Sequence, residues 1–381
     1  MVPRRTFLFG LSAAAMTTQS VFAKKKAASR VLFGTNAGGT SKGIYIADWH
    51  GDRGEIGTMS LAAEVASPTF LVKSPHARGL LIFCVNEKSE GDGEVLSYLL
   101  ENGASTLKEI SRQGTQGNGP THLSIHPDGR SLFVANYGGG SVSSFHVRPD
   151  GSLSPVVSHF QYTGHGPNPD RQEKPHAHSA QVSPDGKYLL VNDLGLDRIV
   201  VYRVNAATAE LDPNEPPYWP AKPGSGPRHI AFHPNGKFVF SVNELDSTVD
   251  TLAWDAKEGS LKLLSTVSIL PPDFPKDKAR AGEIAISHDG KFVYVNNRGH
   301  ESIAAMSCDT RTGALTVMQL VGNGGTTTRH ITLDPTERWL IAANQDAAGD
   351  IAVLQRDHKT GHLSEPVRTY PLNRAMFTLF V

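Results

Sequence analysis

His126-Pro127-Asp128-Gly129, Ser183-Pro184-Asp185-Gly186 and His233-Pro234-Asn235-Gly236 are three versions of one turn, and their recurrence decides the fold. Looser copies stand at Ser74-Pro75-His76, Ser287-His288-Asp289-Gly290 and Asp334-Pro335-Thr336-Glu337. Taken at the second residue of each, successive copies are 52, 57, 50, 54 and 47 residues apart. Proline pre-sets the first dihedral of such a turn and Asp-Gly or Asn-Gly tolerates a positive φ, so each copy reads as a hairpin tip. A short apolar strand precedes the turn (residues 122–126 in the second copy) and another follows at 131–136. A glycine-rich loop then leads to an alternating third strand at 141–147, and Asp150-Gly151 turns the chain into a fourth. Four antiparallel strands at this period make the blade of a β-propeller.

The ends of the chain complete the count. Residues 31–36, 43–49 and 55–65 read as strands two, three and four of a blade that lacks its first strand, while 375–381 is a lone apolar strand. Pairing the two closes a ring of seven blades and removes sheet edges that would otherwise template aggregation. The expectation is therefore one all-β domain, a seven-bladed propeller over residues 24–381. A length of 381 residues would ordinarily suggest two or three domains, and the repeat overrides it.

Residues 1–23 stand apart from the repeat. They run from Arg4 and Arg5 through an apolar stretch between Phe7 and Met16 to Val21-Phe22-Ala23. This is the layout of an export signal cleaved after Ala23, too short to span a bilayer. Adjacent arginines followed by Thr6-Phe7-Leu8 resemble a twin-arginine signal, with an ordinary secretory signal as the alternative. Either way the expected location is the periplasm.

The chain carries 37 basic and 37 acidic side chains, a formal net charge of zero. Neither nucleic acid nor an anionic membrane surface is expected as a partner. A closed propeller needs no second copy for stability, so a monomer is expected. The two cysteines, Cys84 and Cys308, make no disulfide framework and have no metal-ligand spacing. Each lies in an apolar run, which points to two buried free thiols. No Gly-x-Ser-x-Gly elbow, His-Glu-x-x-His pair, phosphate-binding Gly-rich loop with Lys-Ser/Thr, or EF-hand loop occurs.

In an antiparallel blade the start of strand one and the end of strand two share a face of the disc, around the mouth of the central channel. Strand two ends in Asn36, Asn86, Asn136, Asp193, Asn243, Asn297 and Asn344. Such short polar side chains cap the strand-to-loop turn, a structural role. The following residue differs in every blade: Ala37, Glu87, Tyr137, Leu194, Glu244, Arg298 and Gln345. Just ahead of strand one stand Thr121-His122, His176-Ala177-His178, Arg228-His229, Gly282-Glu283 and Arg329-His330. A repeat does not itself need polar groups that vary at equivalent places, so their union at one mouth is the candidate site. Arginines among its histidines and glutamates would repel a cation, which argues against a metal. His126, His233 and His288 fall within the turns and are expected to face solvent. Tyr218 and Trp219, in the insert between Asn205 and Gly226, raise the question of a lid at residues 206–226.

Pro175-His176-Ala177-His178-Ser179, Val191-Asn192-Asp193-Leu194-Gly195, Gly224-Ser225-Gly226-Pro227-Arg228-His229, Val242-Asn243-Glu244-Leu245-Asp246 and Asn297-Arg298-Gly299-His300 together resemble the seven-bladed propeller lactonases. That family holds bacterial propeller-type 6-phosphogluconolactonases and fungal carboxy-cis,cis-muconate cyclases. The resemblance runs over essentially the whole mature chain. It implies a small-molecule lactone or sugar acid as substrate, no cofactor, and a cleft built on His178 or its neighbour His176, Arg228, Glu244 and Arg298.

Opening a lactone needs a base for water, cationic or donor groups for the developing oxyanion, and an acid for the departing alkoxide. Glu244 is the expected base, Arg228 the oxyanion stabiliser and His178 the acid, since an unperturbed imidazole titrates near working pH. Arg298, Arg329 and Arg171 are suited to hold a carboxylate or phosphate by bidentate contacts. Tyr137, His176, His229, Glu283 and His330 complete the expected substrate-binding set. Two other readings share these residues: a lactone-forming cyclase, and a non-catalytic propeller binding a ligand or protein at its mouth. Because 6-phosphogluconolactone belongs to cytoplasmic sugar metabolism, export favours an unphosphorylated aldonolactone or other sugar-acid lactone.

Overall fold

Strand two of each blade is apolar at successive positions because both of its faces are covered. In the second blade (Pro120–Ile125, Ser131–Asn136, Ser141–His146, His159–Gln161), Leu132 and Val134 pack toward the preceding blade, Phe133 and Ala135 toward the next. The same alternation around the ring gives seven hydrophobic clusters among the described residues, one at each blade–blade interface. Full burial of a side chain such as Phe133 contributes roughly 1.5–3 kcal/mol. Stability is thus distributed around the ring, and the axis is left for polar groups.

The structure, a computed structural model, describes residues 30–75, 80–346 and 349–381. The export signal expected at 1–23, its cleavage point and His76 of the first turn lie outside the described residues. Six sheets are four-stranded and antiparallel, with inner strands Leu71–Lys73, Pro120–Ile125, Ala177–Val182, Pro227–Phe232, Arg280–Ile286 and Thr328–Leu333. The seventh is closed as expected: the C-terminal strand Ala375–Phe380 pairs antiparallel with Arg30–Thr35, Val31 opposite Phe380. Its outer strand, expected to be continuous over 55–65, is split into Glu55–Ile56 and Ser60–Glu64. The two pieces pair with different parts of Gly43–His50, and the chain steps off the edge between them.

The turn histidines correct the expectation of solvent exposure. His288 is exposed, but His126 and His233 are buried. His233 Nδ1 accepts the Asn235 N–H of its own turn at 3.0 Å, which leaves Nε2 to donate to the Gly290 carbonyl at 3.1 Å, one blade further on. His126 reaches Gly186 of the next blade in the same way, Nε2 to carbonyl oxygen at 3.0 Å. Each ring fills the space a side chain would need: a Cβ on Gly186 would lie 2.2 Å from His126 Nε2, and one on Gly290 2.4 Å from His233 Nε2. These histidines are inter-blade latches.

The insert after Asn205 is no lid. Glu210–Pro220 is the outer strand of the third blade, paired with Arg198–Asn205, and the Arg198 guanidinium lies over the Tyr218 ring. Cys84 and Cys308 are both free and buried, as expected.

Candidate active site

The residues that converge on the mouth are delivered by a backbone irregularity that recurs in blade after blade. In the third blade Ala177 pairs with Asp193 and Ser179 with Asn192, so His178 is an extra residue in the ladder. By the same count Arg228, Arg329 and Thr121 are the extra residues of their inner strands, and the fifth blade sets Gly282 and Glu283 against Asn296 alone. Such a bulge lets consecutive side chains face the same way, which a regular pleat forbids. Accordingly Arg228 and His229, Arg329 and His330, and Met376 and Phe377 line one small internal void as neighbouring pairs.

The Asn/Asp ring holds these strands in place. Asp193 Oδ1 accepts the backbone N–H of His176 and Leu196, each at 2.9 Å, and Asn243 Nδ2 donates to Thr248 and Asp250. Their role is structural, as read from the sequence.

Glu244 is the centre of charge. Its Oε1 accepts from Arg171 Nη2 at 2.6 Å and its Oε2 from Arg228 Nε at 3.1 Å, and Arg298 Nη2, which donates to the Ala281 carbonyl, forms an ion pair with Oε2 at 2.8 Å. Burial alone would raise the carboxyl pKa, but Arg298, Arg228 and Arg171 more than reverse it and hold Glu244 far below the usual carboxylate range. A carboxylate so firmly ionised and held by three guanidiniums has little affinity for a proton. Arg329 makes no hydrogen bond or ion pair among the described residues, and Arg228 Nη1 is buried without a partner. Burial and the neighbouring guanidiniums push Arg228 down to about 9, still charged at neutral pH.

Beneath this cluster runs a line of hydrogen-bonded rings. His178 Nε2 stands 4.0 Å from Glu244 Oε2, and its Nδ1 meets His229 Nε2 at 3.2 Å. His229 Nδ1 in turn lies 2.9 and 3.0 Å from the two oxygens of Glu283. Burial first, then Arg228, His229, Arg329 and Arg298, hold His178 well below the usual imidazole range, and His229 is lowered by burial, Arg228 and Arg329. The shifts favour the neutral form of both rings.

The other expected contacts divide. Arg171 comes from the loop between His159–Gln161 and Ala177–Val182, and reaches Tyr137 Oη at 3.4 Å as well as Glu244, so both border the mouth. His176 is tied down at both ring nitrogens, by the Tyr137 carbonyl at 3.0 Å and Glu173 at 3.2 Å, and stacks on the Tyr137 ring. It therefore props the loop and offers no free nitrogen. His229, Glu283 and His330 lie deeper, in the channel: His330 Nδ1 accepts the Thr378 N–H, and its ring packs on Phe377.

Glu87 was set apart in the sequence only as one of the variable positions, and it belongs to the mouth. Its Oε2 is buried without a hydrogen-bond partner. Burial raises its pKa, and nearby Arg329 offsets this only in part. Its place, equivalent to that of Glu244 one residue beyond the strand-two asparagine, is the signal that marks it. A larger cavity, about 990 Å³, runs from His122, His229, Glu283 and His330 toward the opposite end of the channel, where Ile230, Ile284, Ile331, Leu333 and Leu379 line it, and no arginine contributes to it.

Residues 30–380 match the family model described as lactonase, 7-bladed beta-propeller. A 6-phosphogluconolactonase of Bacillus subtilis is 34% identical over 87% of this chain and 92% of its own length. One from Formosa agariphila is 32% identical over 85% and 91%. Among solved structures, the periplasmic gluconolactonase of Pseudomonas aeruginosa superposes with a TM-score of 0.86 at 33% identity, covering 92% of this chain and 98% of that one.

Proposed function

The chain belongs to the seven-bladed β-propeller lactonase family, and from that premise we propose that it opens an aldonic-acid lactone at the arginine-lined mouth of its channel. Membership makes it a lactone-hydrolysing esterase; the substrate, residues and location that follow are our reading. The observation that supports it most is the pairing of a cationic cluster, Arg171, Arg228, Arg298 and Arg329 around Glu244, with a neutral histidine at its edge.

Water attacks the ring carbonyl as His178 Nε2 takes its proton, and the negative charge that grows on the carbonyl oxygen is met by guanidiniums fixed before the reaction starts. The same imidazolium then returns the proton to the departing ring oxygen. The product is a hydroxy acid that ionises and releases one proton. Glu244 does not exchange protons; it keeps three arginines from repelling one another apart. Tyr137 and Glu87 stand where sugar hydroxyls would find a donor and an acceptor.

We assign the chain to the periplasm and an unphosphorylated aldonolactone to its site. Supporting this are the form of residues 1–23 and the likeness to a relative named as a periplasmic gluconolactonase. One observation favours a phosphorylated lactone instead: Arg329, unpaired among the described residues, is free to take a phosphate. Initial rates of proton release with glucono-δ-lactone and 6-phosphogluconolactone, side by side, decide between them. Our reading expects kcat/KM to be at least equal for the unphosphorylated ring; a preference of ten-fold or more for the phosphate ester would overturn it.

A further inference from the structure

We propose that Glu283 and His229 are positioning residues which lock His178 in its Nδ1–H tautomer, so that a bare Nε2 faces the mouth. This rests on lactone opening at that mouth. The hydrogens along the buried line fix one another in turn. A carboxylate can only accept, and Glu283 Oε1 also receives the Ile284 backbone N–H at 3.0 Å. His229 must then carry its hydrogen on Nδ1, 2.9 Å from Glu283. A neutral His229 consequently has a lone pair at Nε2, and the 3.2 Å contact there obliges His178 to donate from Nδ1. The remaining nitrogen of His178 is left as an acceptor beside the arginine cluster. Tautomers of buried histidines are set by such second partners.

The side of Glu283 away from His229 is consistent with the same direction. His330 Nδ1 accepts the Thr378 N–H, so its hydrogen lies on Nε2, 3.8 Å from Glu283 Oε2. His122 Nδ1 accepts the Ala180 N–H at 3.2 Å and is likewise neutral toward His229. None of these rings can supply the proton that would reverse the line.

The line also answers an electrostatic problem. When His178 takes a proton it becomes a cation among cations. Arg228, Arg298 and Arg329 face it, Tyr137 meets its ring edge, and Glu244 is already neutralised by its own three arginines. Glu283, acting through His229, is the anion that reaches the new charge from the opposite side.

The direct test needs no substrate. In protein labelled with ¹⁵N-histidine, the ring nitrogen shifts of His178, assigned by their loss in His178→Gln, report the tautomer at neutral pH. The expected result is a protonated Nδ1 and a bare Nε2 on both His178 and His229; a protonated Nε2 on His178 overturns the proposal. This outcome is independent of turnover, so it can fail while the lactonase reading stands. The kinetic test is Glu283→Gln, which keeps the side-chain shape, removes the charge and lets an amide N–H face His229. We expect kcat for glucono-δ-lactone to fall at least about ten-fold with KM within about two-fold. The acid limb of kcat/KM should move to lower pH, because the imidazolium loses its counter-charge. A fall in kcat with the limb unmoved would mark Glu283 as merely structural and contradict the proposal.

Discussion

Arg298 Nη2 forms an ion pair with Glu244 Oε2 across 2.8 Å, tying the end of strand two in the fifth blade to the same place in the fourth. With Arg228 on the same oxygen and Arg171 on the other, one carboxylate joins the loop ahead of the third blade to the fourth and fifth blades at the mouth. The contact is as much a part of the fold as of the site, and its removal should be felt in both.

Glu244→Gln leaves three guanidiniums facing one another without their anion. Breaking a buried pair of this kind costs about 3–5 kcal/mol. The sign with pH follows from the depressed carboxyl: its contribution is complete above the ordinary carboxylate range and is lost as pH falls below about 4.3 toward the folded-state value. Unfolding scans of both proteins should show a constant gap between pH 5 and 8 that narrows below about pH 4. A gap that widens on acidification would contradict the arrangement.

Arg329 offers the opposite case. It has no hydrogen-bond or ion-pair partner among the described residues, and burial with nearby Arg298 lowers its pKa. Arg329→Ala should therefore leave thermal stability equal or slightly raised. A charge-assisted hydrogen bond is worth about 1.5–3 kcal/mol, so loss of one to substrate should raise KM roughly ten- to hundred-fold. A thermal melt checks the first part, and steady-state kinetics with the preferred lactone checks the second.

The latches predict an ordering among glycine substitutions. Gly186, Gly290 and Gly236 all have φ between +71° and +77°, so alanine at any of them is strained by about 1 kcal/mol. Only the first two would also strike a latch histidine, since nothing lies within 4 Å of a Cβ on Gly236. Gly186→Ala and Gly290→Ala should lower the melting temperature clearly more than Gly236→Ala. Adding His126→Ala to Gly186→Ala should recover part of the loss, a coupling that a double-mutant cycle reads directly.

Both thiols should be silent in the folded protein. Burial raises Cys84 strongly and Cys308 to about 11, so neither is a thiolate at neutral pH. A colourimetric thiol reagent should find none in native protein and two after denaturation without reductant. Fewer than two would reveal a disulfide that the structure does not contain.

The blade count and the ring closure were legible because turn chemistry and hydrophobic runs are local and repeat. The Asn/Asp ring was legible for the same reason. That His178, Arg228 and Arg298 would gather near Glu244 was legible, since idiosyncratic polar residues at equivalent places stand out against a repeat, whereas the depth of His229, Glu283 and His330 was not. Nor were the pairings. That Glu244 would pair with three arginines and His178 with His229 depends on which of seven blades meet across the axis, a matter of distances that no spacing encodes. The bulges that deliver His178, Arg228 and Arg329 were hidden too, because one extra residue in a ladder leaves the strand's composition unchanged. His126 and His233 were misjudged because a hairpin tip is usually wet, whereas here the next blade covers it.

The most direct test of lactone opening at this mouth is proton release from glucono-δ-lactone, corrected for spontaneous hydrolysis, by the wild-type chain beside His178→Gln and Arg228→Ala. General acid–base and oxyanion contributions are each about 10²–10³-fold or more, so the account expects acceleration by wild type and at least a hundred-fold loss in both variants that still fold. Acceleration that survives both substitutions would place the chemistry elsewhere on the propeller and contradict it.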